Sequence, residues 1–171
     1  MNPDSSNSIP VVVAGALGRM GREVIKAVHD SEDCHLVGAI DNCDGAEGSD
    51  IGKEVGISGL EISVTSDFEG CLCSVSQISN QGEGRNAAVL VDFTHPSVAY
   101  EHTRAAIAYG VSPVIGTTGL TPDQLNNLGE FALKASVGSA VIPNFSVGMV
   151  LLQQAAAAAA SFYDHAELVE L

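Results

Sequence analysis

The sequence predicts an α/β chain built on a largely parallel sheet, and three observations carry that prediction. From residue 10 onward, apolar runs of strand length alternate with stretches of helical spacing, the pattern of successive βαβ units. Eighteen glycines against five Phe, three Tyr and no Trp suit a sheet with many tight turns. With 46% apolar residues in 171, there is enough material for the core of one domain of ordinary size.

Taken in order, residues 1–8 ("MNPDSSNS") are polar and read as a disordered tail. A strand is expected at 10–14 and a helix at 19–30. A second strand, at 36–41, closes on Asp41. Residues 42–66 form a long Gly- and Asp-rich connection to a helix at 67–77, and "SNQGEGRNA" (79–87) reads as an exposed excursion. Strands at 88–93 and 112–116 flank a helix at 97–109, which Gly110 ends. The next helix, 122–136, has the clearest start: Thr121 as N-cap, Pro122 in the first turn and Gln124 closing a capping box. A strand at 139–142, a helix at 147–162 and a strand at 165–171 complete the reading. No stretch reads as an internal repeat.

Composition excludes several classes. Seven basic residues against 21 acidic ones give a formal charge of −14, which argues against general nucleic-acid binding. Any anionic ligand must therefore be attracted by a local device, because the overall field repels it. Cys34, Cys43, Cys71 and Cys73 form neither a CxxC pair nor a spaced ligand set, so reduced packing thiols and no metal site are expected. The first residues carry no basic region and no apolar stretch, which predicts a soluble, cytoplasmic protein. Residues 135–163 are free of charge, but Pro143, Asn144, Gln153 and Gln154 interrupt them, and a spanning helix needs roughly 20 continuous apolar residues. The alanine-rich 147–162 segment is expected to be a buried helix in close packing, with no membrane partner.

The segment "VVVAGALGRMGREVIKAV" (11–28) carries the most chemistry. After a strand, the chain must turn sharply into a helix whose first N–H groups lack partners. A phosphate placed there meets those donors and the positive end of the helix dipole, provided no side chains block the approach. Gly15 would make the turn, Gly18 would admit a pyrophosphate, and Gly21 would let helix pack on strand; Arg19 and Arg22 add local positive charge. The spacing is GxxGxxG, with Leu17 where the usual fingerprint has its middle glycine, so the pattern draws its weight from context. That context is a strand before, a helix after, and Asp41 about 20 residues on, placed to hold ribose hydroxyls. No Gly-Lys-Ser/Thr follows, which excludes a Walker loop.

Three further loops stand at expected strand ends, where open α/β sheets bind ligands: "DFTHP" (92–96), "GTTGLT" (116–121) and "IPNFSVG" (142–148). Thr94, Thr117, Thr118, Asn144 and Ser146 could hydrogen-bond a carboxamide and a second ribose, and Phe93 or Phe145 could pack on a ring. Together with the glycine loop they point to a Rossmann-like, doubly wound sheet that binds a nicotinamide dinucleotide.

"VAGALGRMGREV", the acid ending the second strand, "VDFTHPS", "GTTG" and "PNFSVGM" occur in the order and at the separations of the 4-hydroxy-tetrahydrodipicolinate reductase family, which the chain resembles from Ile9 onward. "RAAIAYGVSPVIGTTGL" and "IPNFSVGMVLLQQAA" look most like cyanobacterial members. The resemblance implies NAD(P)H-dependent reduction of 4-hydroxy-tetrahydrodipicolinate in the diaminopimelate route to lysine. It implies that Gly15, Ala16, Leu17, Gly18, Arg19 and Met20 wrap the pyrophosphate and that Asp41 takes the adenosine ribose. Gly116, Thr117 and Thr118, with Ile142, Pro143, Asn144 and Phe145, would place the nicotinamide.

By the same resemblance, residues 9–146 are the dinucleotide-binding domain, and 147–171 are a hinge helix and first strand leading to a substrate and tetramerisation domain absent from this chain. The full-length protein would be a homotetramer. Where NADPH-preferring members carry a basic residue after the acid, this chain has Asn42 and Cys43; that leans towards NADH used alongside NADPH. The family's His-His segment, lysine and Pro-Ser-Gly-Thr loop, which supply the proton and hold the substrate, would lie beyond Leu171. No catalytic acid is therefore assigned to this chain. His29, His35, His95 and His102 are scattered over expected helix ends and loops, with His95 in a cofactor loop. His165 does not match the family's histidines. Two other readings stay open at this point: a different two-domain NAD(P)-dependent dehydrogenase, acting on a semialdehyde or amino acid, or a non-catalytic dinucleotide-binding redox sensor.

Overall fold

The computed structural model describes residues 8–80, 87–142, 144–165 and 167. Six strands form one sheet in the order β3-β2-β1-β4-β5-β6, and every strand pair in it is parallel. The strands are β1 (Ile9–Ala14), β2 (Cys34–Ile40), β3 (Val64–Thr65), β4 (Val89–Asp92), β5 (Ser112–Ile115) and β6 (Ala140–Val141). Between them run α1 (Arg19–His29), α2 (Ile51–Val55), α3 (Phe68–Asn80), α4 (Pro96–Ala108) and α5 (Pro122–Ala135), and α6 (Val147–Ala160) follows β6. The expected doubly wound sheet is therefore observed, with the strand order reversing between β1 and β4.

β1 explains why its sequence is apolar without alternation: it is covered on both faces, as central strands of parallel sheets are. Val11 and Val13 pack into one layer with Ile25 of α1 and with Ile51 and Val55 of α2. Val12 and Ala14 pack into the other with Leu72 and Val75 of α3 and Ala106 of α4. Each fully buried Val, Leu or Ile contributes roughly 1.5–3 kcal/mol over its exposed state. A third, smaller cluster joins α4 to α5 through Ile107, Leu128 and Ala132.

Two elements lie inside the connection 42–66. The two-residue β3 forms the sheet edge against Ala39 and Ile40, and the five-residue α2 covers α1. α2 has ordinary helix ends: the Asp50 side chain caps its start, and Gly56 closes it at φ +82°. The α5 capping box is formed as expected, with the Gln124 N–H donating to Thr121 Oγ1 at 3.2 Å and the Thr121 N–H donating to Gln124 Oε1 at 2.9 Å. α4 ends at Tyr109, and Gly110 follows at φ +72°.

The alanine-rich segment is a helix but not a buried one. None of α6 is buried; Val147 is 73% exposed and Leu151 60%. Its composition anticipated a covering surface, and no described element supplies one. Among the described residues no helix is long and apolar enough to cross a membrane, and no cluster of His, Cys, Asp and Glu is arranged to hold a metal. The strand expected at 165–171 lies, but for His165 and Glu167, outside the described residues.

Candidate functional site

A cleft of ≈ 400 Å³ opens at the carboxyl ends of the central strands, where the strand order reverses between β1 and β4. It is lined by Gly15, Asp41, Ser66, Phe68, Thr94 and His102, among others. This is the switch point at which open α/β sheets bind their ligands.

The glycine loop is built from close backbone approaches. Gly15 turns at φ +75°, and a Cβ there would lie 2.8 Å from the Phe93 carbonyl oxygen. A Cβ on Gly21 would come within 2.0 Å of the Gly15 carbonyl oxygen, so α1 rests directly on the turn. At Gly18 the nearest atom is the same oxygen at 3.2 Å, and Gly18 itself is exposed. Gly18 is the N-cap of α1; no side chain caps this end and no acid occupies its first turn. The start of α1 thus keeps bare backbone and a positive dipole end for an anion. Arg19 and Met20 are exposed beside it, while Ala16 is buried.

Asp41 does more than its position in the sequence announced. Its Oδ2 accepts the Leu17 N–H at 2.8 Å and its Oδ1 accepts the Cys43 N–H at 3.0 Å, tying the end of β2 to the glycine loop. One side of each oxygen remains for a further donor, since a carboxylate offers about four lone-pair sites. Arg22 braces the same loop from below: its Nε donates to the Leu17 carbonyl at 2.9 Å and its Nη1 to the Glu54 carbonyl of α2. Arg22 therefore serves the loop's shape, and Arg19 is the cation left at its rim. Glu47, opposite Ser66, is held below the usual carboxylate range, chiefly by the Ser66 backbone N–H at 2.7 Å.

On the other flank, Gly116 and Thr117 follow β5. A Cβ on Gly116 would strike the Phe93 ring at 2.2 Å, so this strand end presses flat against the ring. Phe93 in turn meets Phe145, with ring centroids 5.4 Å apart. The small polar groups of these loops are engaged within a loop or with the loop beside it. Thr117 Oγ1 donates to the Thr94 carbonyl at 3.1 Å, Asn144 Oδ1 accepts the Ser146 N–H at 2.7 Å, and Ser146 Oγ accepts the Met149 N–H at 3.4 Å. Thr118 is exposed, and Ile142 is held by its N–H to the Ile115 carbonyl at 2.8 Å. Pro143 lies outside the described residues.

Sequence reasoning missed what underlies the cleft. Asp92, at the end of β4, is fully buried, and its Oδ2 lies 2.8 Å from Nδ1 of His102. Phe68 stacks on the His102 ring at 3.9 Å between centroids, 13° from parallel. A signal was present: His102 stands three residues after Ala99 and four before Ala106, on the buried face of α4. His95 does line the cleft, although its Nδ1 accepts the Ser97 N–H as the helix cap of α4. His165 is exposed.

Residues 9–145 match the family model described as "Dihydrodipicolinate reductase, N-terminus". A 4-hydroxy-tetrahydrodipicolinate reductase of Synechococcus sp. (strain CC9605) is 76% identical over 164 residues, covering 95% of this chain and 58% of the relative. One of Prochlorococcus marinus (strain MIT 9313) is 71% identical over 163 residues, with the same coverage of 95% and 58%. The chain thus spans less than two thirds of the length of these curated relatives. Among solved structures, a dipicolinate-bound dihydrodipicolinate reductase from Paenisporosarcina sp. TG-14 superposes with a TM-score of 0.67 at 30% identity, covering 91% of this chain and 55% of that one. The WlbA dehydrogenase of Thermus thermophilus, in complex with NAD and alpha-ketoglutarate, shares the fold at a TM-score of 0.66 and 15% identity, over 88% of this chain and 47% of its own.

Proposed function

The chain belongs to the dihydrodipicolinate reductase N-terminal family, and from that premise we propose that it is the dinucleotide-binding part of an enzyme that reduces 4-hydroxy-tetrahydrodipicolinate. The observation that carries the proposal is the glycine loop itself. Its backbone is bare at Gly18, its helix is uncapped, and Asp41 holds it from beneath through Leu17. A pyrophosphate fits such a cradle, because N–H donors and the helix dipole replace the cations that this acidic chain lacks.

In this reading Gly15 to Met20 wrap the pyrophosphate, and the free lone pairs of Asp41 accept the hydroxyls of the adenosine ribose. Gly116, Thr117 and Thr118 and the segment 142–145 hold the nicotinamide end against Phe93. Thr117 spends its proton on the Thr94 carbonyl and so offers its lone pairs to incoming donors. The bound nicotinamide supplies a hydride from its C4. What the chain contributes is placement, since donor and acceptor carbons must be held about 3–3.5 Å apart. Residues 9–146 form this binding unit, with α6 and the residues after it joining it to the substrate-holding part of the whole enzyme, a homotetramer in the diaminopimelate route to lysine.

Asp41, followed by Asn42 and Cys43, places no cation at the ribose edge, which suits NADH and leaves Arg19 as the partner for the 2′-phosphate of NADPH. Calorimetric titration of the chain with NADH and then NADPH tests this. Binding of either in the micromolar range, lost in Gly18→Val, is the expected result. Undiminished affinity in a folded Gly18→Val variant would refute the phosphate-loop assignment.

A further inference from the structure

The Asp92 carboxylate is fully buried beneath the cleft, and the glycine-loop chemistry makes no use of it. Its Oδ1 accepts the Thr94 N–H at 2.7 Å and the Thr94 hydroxyl at 2.5 Å. Its Oδ2 faces Nδ1 of His102 at 2.8 Å. A carboxylate only accepts, so the Nδ1 position must carry the proton. The ring cannot easily turn to offer its other edge, because Phe68 is stacked on its face. His102 also lines the cleft, together with Phe68, Asp41 and Ser66.

We infer that Asp92 is a positioning residue that locks His102 in the Nδ1–H tautomer, so that Nε2 faces the cleft as a hydrogen-bond acceptor and favours a purine bearing an amino group over one bearing an oxo group. The inference rests on the reading of this cleft as the nucleotide end of a dinucleotide site. The amino group of adenine is a donor and meets a lone pair, whereas the oxo group of hypoxanthine brings a second acceptor and leaves both unpaired. A site built to accept rejects such a mismatch by far more than an apolar wall would. Asp92 itself touches no ligand and acts through the imidazole.

The test compares NADH with nicotinamide hypoxanthine dinucleotide (reduced form) by calorimetry, in the wild-type chain and in Asp92→Asn. Wild type is expected to prefer NADH by roughly tenfold or more. In Asp92→Asn the side-chain amide donates to Nδ1, moves the ring proton to Nε2, and erases or reverses the preference. A general loosening of the fold would weaken both ligands together and leave their ratio unchanged. Nitrogen NMR of the wild-type imidazoles gives a readout that does not depend on that variant folding: Nδ1 of His102 should be the protonated nitrogen. Equal affinity of wild type for the two dinucleotides, an unchanged ratio in a folded Asp92→Asn, or a proton on Nε2 would each overturn the inference. If neither dinucleotide binds the wild-type chain, the cofactor reading fails and this inference falls with it.

Discussion

Gly18, the N-cap of α1, and Gly21, in its first turn, stand three residues apart, yet replacing them should damage different properties. A Cβ at Gly21 would sit 2.0 Å from the Gly15 carbonyl oxygen, 2.8 Å from its carbon and 2.9 Å from Ala16 Cα, all backbone atoms. To restore an ordinary contact, α1 must withdraw by about 1 Å, and because only backbone stands in the way the cost falls in the upper part of the overpacking range, roughly 2–3 kcal/mol. Alanine in place of glycine in a helix returns about 1 kcal/mol, so the net loss in Gly21→Ala should be about 1–2 kcal/mol. For a chain of this size that lowers the melting temperature by roughly 2–8 °C. At Gly18 the nearest neighbour would be 3.2 Å away and the backbone, at φ −68° and ψ 167°, suits any residue. Gly18→Val should therefore melt within a few degrees of wild type while its side chain fills the space over the start of α1. Thermal unfolding followed by calorimetric titration with NADH separates the two. A Gly21→Ala protein that melts and binds like wild type would refute the claim that the helix must rest on the turn.

Two further predictions concern groups outside the cleft. Burial raises Asp50, but N–H groups of Leu60, Lys53 and Glu61 more than offset this and leave its carboxyl below the ordinary value. Its stabilising contribution is complete above the unfolded value, about 3.9, and is lost as pH falls through the lower folded value. The gap in melting temperature between wild type and Asp50→Asn should thus be constant near neutrality and close at strongly acidic pH; a gap that widens on acidification would contradict the sign. Burial, aided by Asp67, pushes the Cys71 thiol up to about 11, while Cys43 and Cys73 are exposed. At pH 8 only about a thousandth of Cys71 is thiolate, so iodoacetamide should label it far more slowly than the exposed Cys73, as read by peptide mass spectrometry. Equal rates would show that the pocket around Cys71 opens readily.

Elements whose instructions are local were legible. The Thr121-Pro122-Asp123-Gln124 start of α5, the Gly110 stop of α4 and the turn at Gly15 each rest on the dihedral and hydrogen-bonding habits of a few neighbouring residues. α2 and β3 escaped because five residues and two residues give too short a period to detect, although Asp50 and Gly56 mark the ends of α2 plainly. The continuous apolar run of β1 matches a strand covered on both faces, as the two layers built around it show.

The sequence by itself determined the sheet class, the glycine loop, the acid that closes β2 and the family to which these belong, because each is written in residues close together along the chain. Only the tertiary structure decided what those residues touch. It brought the Asp41 carboxylate under the Leu17 N–H across 24 positions, and it set Arg22 to bracing the loop. It closed Asp92, His102 and Phe68 into one stack beneath the cleft. Such contacts depend on how far a helix leans over a strand end, a distance set by packing across the layers and carried by no local run of residues. α6 shows the same division: its apolar composition was evident, but whether it is covered depends on what stands beside it, and in the described residues nothing does.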